Sequence, residues 1–243
     1  MLSNTQLLIF ELGRACNLAD LHAKCPSALP LRFAGLDTAH QLDDEIIVSS
    51  AVEAYRQYGF TGMVGWHYYN EPTLQGERML RMMDQIQAIA PARFILWSNG
   101  TRLEFILRHR ERFAYVHCSP YVNDPLGLQL DNRLACPPRR EGYQSADGPC
   151  CRPFTELIFD CFGNQHPCCA DWQGKASLGN LREGFTVILE RWAKFQDAVC
   201  GKWMRNDAPS ACRECGSPFR NCSISDFDEG AKLRAERWRQ AWN

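Results

Sequence analysis

Neither sign of charge dominates this chain. Its 27 Lys plus Arg face 28 Asp plus Glu, for a formal net charge of −1, so nothing pulls it globally toward nucleic acid or an anionic membrane, and any basic site must be local. Long apolar runs are missing too. No stretch approaches the roughly 18 apolar residues of a membrane span, and the opening MLSNTQLLIFELGRAC lacks a basic segment followed by a long apolar run and a small-residue cleavage site. The expectation is a cytoplasmic protein with no membrane partner. Internal repeats and low-complexity tracts are absent, which excludes a repeat array. With 45% hydrophobic residues in 243, the chain can bury a full core without staples.

What the sequence has in excess is cysteine. In a reducing compartment thiols stay reduced, so thirteen cysteines point to metal binding or redox chemistry before disulfides. The odd count rules out complete pairing. Cys16 and Cys25 stand near the beginning, Cys118 and Cys136 are isolated, and nine fall from Cys150 to Cys222, a layout that fits two sulfur-rich centres.

Hydrophobic periodicity gives an alternating series. Residues 6–12 (QLLIFEL) read as a buried strand and 43–58 as a helix with acidic residues in its first turn. Strand-like 62–68, helical 76–90, strand-like 93–97, helical 104–112 and strand-like 115–118 follow. This βαβα pattern is that of a parallel sheet or partial barrel, whose ligands bind at the carboxyl ends of the strands. From 119 to 149 the rhythm gives way to prolines and glycines, read as a linker. Beyond it, 154–159 with a turn at Gly163 suggests a hairpin, 182–195 a helix, 213–222 a loop and 231–242 a closing helix.

At the end of the first strand, Glu11-Leu12-Gly13-Arg14-Ala15-Cys16-Asn17-Leu18 runs on to Cys25-Pro26. This resembles the cluster loop of radical AdoMet (radical SAM) enzymes, Cys-x3-Cys-x2-Cys with Asn-Leu after the first cysteine. The middle cysteine is missing here. Two residues can stand in: His22, which keeps the two-residue gap to Cys25, and Asp20, which keeps the three-residue gap from Cys16. His22 is favoured, because imidazole replaces thiolate on iron in Rieske-type clusters, whereas a carboxylate is a harder ligand. Tyr69-Asn70-Glu71-Pro72 resembles the family's Gly-Gly-Glu-Pro motif, which holds the methionine amino group of AdoMet. Ser98-Asn99-Gly100-Thr101 resembles its NGT turn near the ribose, and Ser119 follows the fourth strand. The resemblance therefore implies AdoMet contacts at Asn70, Glu71, Ser98, Asn99 and Ser119.

The C-terminal third resembles the SPASM or twitch domain of such enzymes. Cys151, eleven residues, Gly163, four residues and Cys168 match its Cys-x(9–15)-Gly-x4-Cys element; Asp171-Trp172-Gln173-Gly174, Leu178-Gly179-Asn180-Leu181 and Cys212-Arg213-Glu214-Cys215 follow. The implied ligands are Cys151, Cys168, Cys212 and Cys215 for an auxiliary cluster, and Cys16, His22 and Cys25 for the AdoMet-type cluster. Cys150 and Cys169 stand as substitutes for their neighbours, while Cys118, Cys136, Cys161 and Cys200 read as small buried hydrophobes. By spacing alone, tetrahedral zinc satisfies the same cysteines.

The fold class so implied is α/β: a truncated, open partial (β/α) barrel over 1–122, a linker over 123–149, and a small cysteine-rich iron–sulfur domain at the C-terminus over 150–243. The cofactors are two [4Fe–4S] clusters and S-adenosyl-L-methionine, with an electron donor such as flavodoxin or ferredoxin. Only about four strand–helix units precede the auxiliary region, and an open-sided barrel suits a large substrate. The resemblance offers two: an amino-acid-decorated thymine base in phage DNA, with Trp66, Tyr68, Tyr69 and Tyr121 placed to stack on it, or a peptide. The alternative to an enzyme is a non-catalytic iron–sulfur or zinc protein that has lost AdoMet cleavage.

Overall fold

A run such as Leu7-Leu8-Ile9-Phe10, apolar at every position, can satisfy itself only where both faces and both edges are covered. The computed structural model, which describes residues 2–3, 5–19, 33, 35–118, 152–169 and 171–202 (197–202 as backbone), gives it that position. Strand β1 (Leu7–Phe10) lies inside a sheet with β2 (Met63–Gly65), β3 (Arg93–Ser98), β4 (Tyr115–Cys118), β5 (Glu156–Phe159) and β6 (Gln165–His166), in the order β4-β3-β2-β1-β5-β6. The pairs from β4 to β5 are parallel; β5 and β6 are antiparallel. Among the described residues the sheet is open, with β4 and β6 at its edges, as expected of a truncated barrel.

Helices α1 (Asp44–Gln57), α2 (Gly76–Gln87) and α3 (Leu103–Arg108) connect the first four strands; α4 (Arg152–Thr155) precedes β5, and α5 (Phe185–Lys202) follows the hairpin. Strand alternation splits the apolar side chains into two layers. Leu8, Phe10, Val64, Phe94, Leu96, Leu157 and Phe159 face the helices, meeting Ile47 and Ala51 of α1, Met79 and Met83 of α2, and Ile188 and Trp192 of α5. Each such burial contributes about 1.5–3 kcal/mol. Leu7, Ile9, Ile95 and Ile158 form a smaller cluster on the opposite, inner face.

One connection was not legible from periodicity. The hairpin of the cysteine-rich region pairs in parallel with β1, Leu7 opposite Glu156 and Phe10 opposite Phe159, so the sheet crosses the boundary expected at residue 150. The linker 123–149, the loop 213–222 and the helix 231–242 lie outside the described residues. The turn at Gly163 is present, at φ +91, and a Cβ there would lie 2.9 Å from Leu42 Cδ1. Only glycine takes that backbone without strain.

Candidate functional site

The parallel strands point their carboxyl ends the same way, and the loops leaving β1, β2 and β3 meet there. Glu11, one residue past β1, is buried, and its carboxylate accepts from the Tyr69 amide (2.9 Å) and the Cys161 amide (3.2 Å). It thereby ties together the ends of β1, β2 and β5. The loop bearing Cys16 is fixed from both sides. Ala15 offers its carbonyl to the Glu71 amide at 2.9 Å. The Leu12 carbonyl accepts from Gln41 Nε2 at 2.5 Å and from Arg78 at 2.6 Å.

Glu71 is 2% exposed and caps the short 3-10 turn Pro72–Gln75. Its Oε1 accepts from Thr73 N (3.1 Å), Thr73 Oγ1 (2.6 Å) and Ser98 Oγ (2.8 Å), and its Oε2 from the Asn99 amide (2.7 Å). The carboxylate is thus a strut that holds the end of β2 against the end of β3. Asn70 folds back on its own turn, accepting from the Tyr68 amide and donating to the Trp66 carbonyl. Asn99 spans the next gap: its Nδ2 donates to Asn17 Oδ1 at 2.9 Å and lies 3.9 Å from Cys16 Sγ. Asn17 in turn donates to Thr101 Oγ1 at 2.8 Å, and Thr101 closes the ring onto Asn99 Oδ1. The structure therefore brings Cys16, Asn70, Glu71, Ser98 and Asn99 to one place. Ser119, His22, Cys25 and the alternative Asp20 lie outside the described residues.

Of the cysteines expected to hold the auxiliary cluster, Cys168 is described; Cys151, Cys212 and Cys215 lie outside the described residues. Among the described residues no three His, Cys, Asp or Glu side chains gather as a metal site. What is described is the frame around Cys168. Asp160 accepts from the Phe162 and Asn164 amides, both at 2.9 Å, and takes His166 Nε2 at 3.2 Å. His166 Nδ1 donates to the Asp171 carbonyl at 2.7 Å. Burial opposes charge on both partners, yet their mutual hydrogen bond and attraction hold Asp160 below its usual range and His166 above it. Both ring nitrogens of His166 thus face oxygen atoms, the Asp160 carboxylate and the Asp171 carbonyl. The Asp171 carboxylate accepts from the Lys175 and Ala176 amides, which explains the acid of the Asp-Trp-x-Gly element. A framed turn presenting thiolate donors suits an iron–sulfide cluster. Cys118 is different: burial, then the Glu71 charge, push its thiol up, which keeps it neutral.

The tasks of several participants escaped the sequence reading. Glu11, Thr101 and Tyr69 stand inside the motif stretches, but nothing in them assigns Glu11 to the Tyr69 and Cys161 amides, Thr101 to Asn99, or the Tyr69 hydroxyl to the Cys169 carbonyl at 2.7 Å. Trp66 is a correction. It is fully buried on the helix side, stacked on Phe94 at 5.8 Å with Phe10 at 6.5 Å, and has no free face for a base. The alternation that turns Trp66 outward turns His67 inward. Tyr121 lies outside the described residues. A cavity of about 630 Å³ beside the hairpin is lined by Asp37, Asn164, Asn180 and Arg182 among others. Arg182 is spent there on the carbonyls of Phe162, His40 and Gln41.

Residues 150–216 match the model of SPASM, an iron–sulfur cluster-binding domain. No curated protein matches the chain. Among solved structures, BtrN in complex with AdoMet and 2-DOIA is similar at a TM-score of 0.57 and 18% identity, over 90% of this chain and 95% of that one. Selenomethionine BtrN in an open conformation is similar at 0.51 and 18% identity, over 90% and 92%. The fold is therefore similar to that of BtrN, an α/β sheet that is open among the described residues, and the C-terminal region matches the SPASM iron–sulfur domain, as the sequence reading expected.

Proposed function

We propose that this chain is a radical AdoMet enzyme that isomerises or otherwise modifies a large substrate. The observation that carries the reading is the hydrogen-bonded junction of three strand-end loops, in which Asn99 reaches both Cys16 and Asn17 and the Glu71 amide binds the Ala15 carbonyl. Side chains 83 and 82 residues apart meet there, at the end of the sheet where such folds bind ligands.

The residues fit the cofactors. A soft cysteine set suits iron–sulfide, and His22 or Asp20 completes it beside Cys16 and Cys25. When bound, a [4Fe–4S] cluster and AdoMet supply one-electron cleavage to a 5′-deoxyadenosyl radical that takes hydrogen from the substrate. The chain's part is positioning. The Glu71 strut fixes the turn at 69–71 relative to the turn at 98–101, and Asn99 with Asn17 fixes the loop that carries Cys16. Cys151, Cys168, Cys212 and Cys215 hold the auxiliary cluster, and a flavodoxin or ferredoxin supplies the electron.

Among the described residues the sheet ends at β4, and the substrate class that goes with an open-sided barrel is a polymer-borne group. A thymine base carrying an amino acid, in phage DNA, is the first reading. A peptide is the second, favoured by the net charge of −1, because non-specific DNA affinity comes mostly from basic contacts. No helix among the described residues is long and apolar enough to cross a membrane, and the site of action we propose is the cytoplasm.

Anaerobic reconstitution tests the reading: iron and sulfide sufficient for two clusters, with 5′-deoxyadenosine formed on adding reductant and AdoMet, supports it. One cluster with intact AdoMet points instead to the non-catalytic alternative. His22→Ala is expected to bleach the N-terminal cluster and Asp20→Ala to leave it coloured.

A further inference from the structure

Just before α1 runs an irregular segment, residues 37–42. The hairpin side takes hold of it along its length. Asn164 Nδ2 donates to the Asp37 carbonyl at 2.9 Å, Arg182 donates to the His40 and Gln41 carbonyls at 2.8 Å each, and the Leu42 amide donates to the Cys161 carbonyl at 2.8 Å. From its other side the segment reaches the stretch that leads into Cys16. Gln41 Nε2 donates to the Leu12 carbonyl at 2.5 Å. Arg78 donates to the same oxygen at 2.6 Å and to the Leu42 carbonyl at 3.0 Å.

We infer that residues 37–42 are a strap through which the cysteine-rich region sets the position of the Cys16 loop, with Arg182 and Gln41 as its positioning residues. The inference rests on the proposed function, since the loop so placed is the one read as holding the AdoMet-type cluster.

Three features carry it. A carbonyl oxygen has two lone pairs, and donors from two different elements occupy both on Leu12, so this peptide cannot turn without breaking both bonds. The next residue is fixed as well: a Cβ at Gly13 would collide with the Gln75 side chain, which itself accepts from Arg78 at 2.9 Å. The chain therefore leaves β1 toward Cys16 on a set course. Second, a guanidinium presents its donors in a rigid plane, and that of Arg182 spans the Phe162 carbonyl at 2.7 Å and the two strap carbonyls. Arg182 lies within residues 150–216, matched to the SPASM model, so one side chain crosses between the two regions. Third, the hairpin end of the strap is tied to the Cys168 frame. Asn164 also donates to Asp160 Oδ2 at 2.9 Å, the oxygen that takes His166. A surface loop can leave such carbonyls to water; here side chains from both regions converge on them.

The test uses the full, cluster-reconstituted chain under anaerobic conditions. Arg182→Gln and Gln41→Leu are each expected to weaken AdoMet binding in isothermal titration by about threefold to tenfold, the scale of a lost hydrogen bond. Each should also speed amide hydrogen exchange over residues 13–18. Because both act through one segment, the double variant should lose less than the product of the two single losses. Arg191→Gln, which breaks an exposed ion pair with Glu183 in the same region, should change neither reading. Melting temperature and iron content report the fold and the cluster loading of every variant. Should Arg182→Gln fail to load the auxiliary cluster, Gln41→Leu, outside the cysteine-rich region, carries the comparison. Exchange over 13–18 untouched by both substitutions, losses that multiply in full, or an equal loss in Arg191→Gln would overturn the inference. A wild type that binds no AdoMet, while Arg182→Gln still loosens residues 13–18, contradicts the proposed function and not the strap. One that binds AdoMet equally well without Arg182 or Gln41 contradicts only the strap.

Discussion

Removing the Glu71 carboxylate leaves buried donors on Thr73, Ser98 and Asn99 without their acceptor. Each buried group so orphaned costs about 1–3 kcal/mol. Glu71→Ala is therefore expected to destabilise the apo protein by at least about 2 kcal/mol in urea unfolding and to weaken AdoMet binding. Glu71→Gln, which keeps an acceptor oxygen, is expected to lose less; an unchanged urea midpoint in Glu71→Ala contradicts the strut. The sequence motif singled out Glu71 but not this task, because nothing in Asn-Glu-Pro announces that Ser98 arrives 27 residues later. The choice of Trp66 failed for a related reason. Trp66 and Trp97 both sit at strand ends, and only the phase of alternation, fixed by which neighbours are buried, sends one to the core and the other to the inner face.

At the scale of elements, the order of strands and helices up to β4 was legible and their bounds were not, the strand expected over 62–68 being Met63–Gly65 and the helix over 182–195 running Phe185–Lys202, since period-2 and period-3.6 patterns report burial and not where backbone pairing stops. Nor was the pairing legible. A continuous apolar run says that β1 is covered on both sides but not by what, and the partner β5 comes from the cysteine-rich region. That junction carries two predictions. Tyr69 is held by its amide on Glu11 and holds the Cys169 carbonyl through its hydroxyl. Tyr69→Phe removes one hydrogen bond, about 0.5–1.5 kcal/mol, and should speed amide exchange over 168–174 while leaving α2 protected; equal change in both regions contradicts a local bridge.

The second concerns Glu156, at the start of β5. Burial raises its pKa, with Arg152, 3.7 Å away, pulling the other way. A carboxyl raised on folding contributes stability that is complete below its unfolded pKa and lost as pH rises through the folded value. Glu156→Gln cannot ionise, so its melting temperature relative to wild type is expected to climb as pH is raised from about 4. A difference flat across that range contradicts a raised pKa at this site.

At the scale of the molecule, one open sheet carries both sulfur-rich regions, the Cys16 loop after β1 and the Cys168 frame after β5, on adjacent strands. The sequence placed the cysteines in two groups, and spacing distinguished the C-terminal set. What spacing could not convey is their shared sheet, with Glu11 bonded to the amides of both Tyr69 and Cys161. The central claim is that the Cys16 loop holds a cluster that binds AdoMet. It is tested most directly by electron paramagnetic resonance of the reduced, reconstituted protein with and without AdoMet, in the wild type and in Cys16→Ala. The account predicts a wild-type signal that shifts on adding AdoMet, and in Cys16→Ala a remaining auxiliary signal that does not respond. A wild-type spectrum indifferent to AdoMet, or a shift that survives the loss of Cys16, would contradict it.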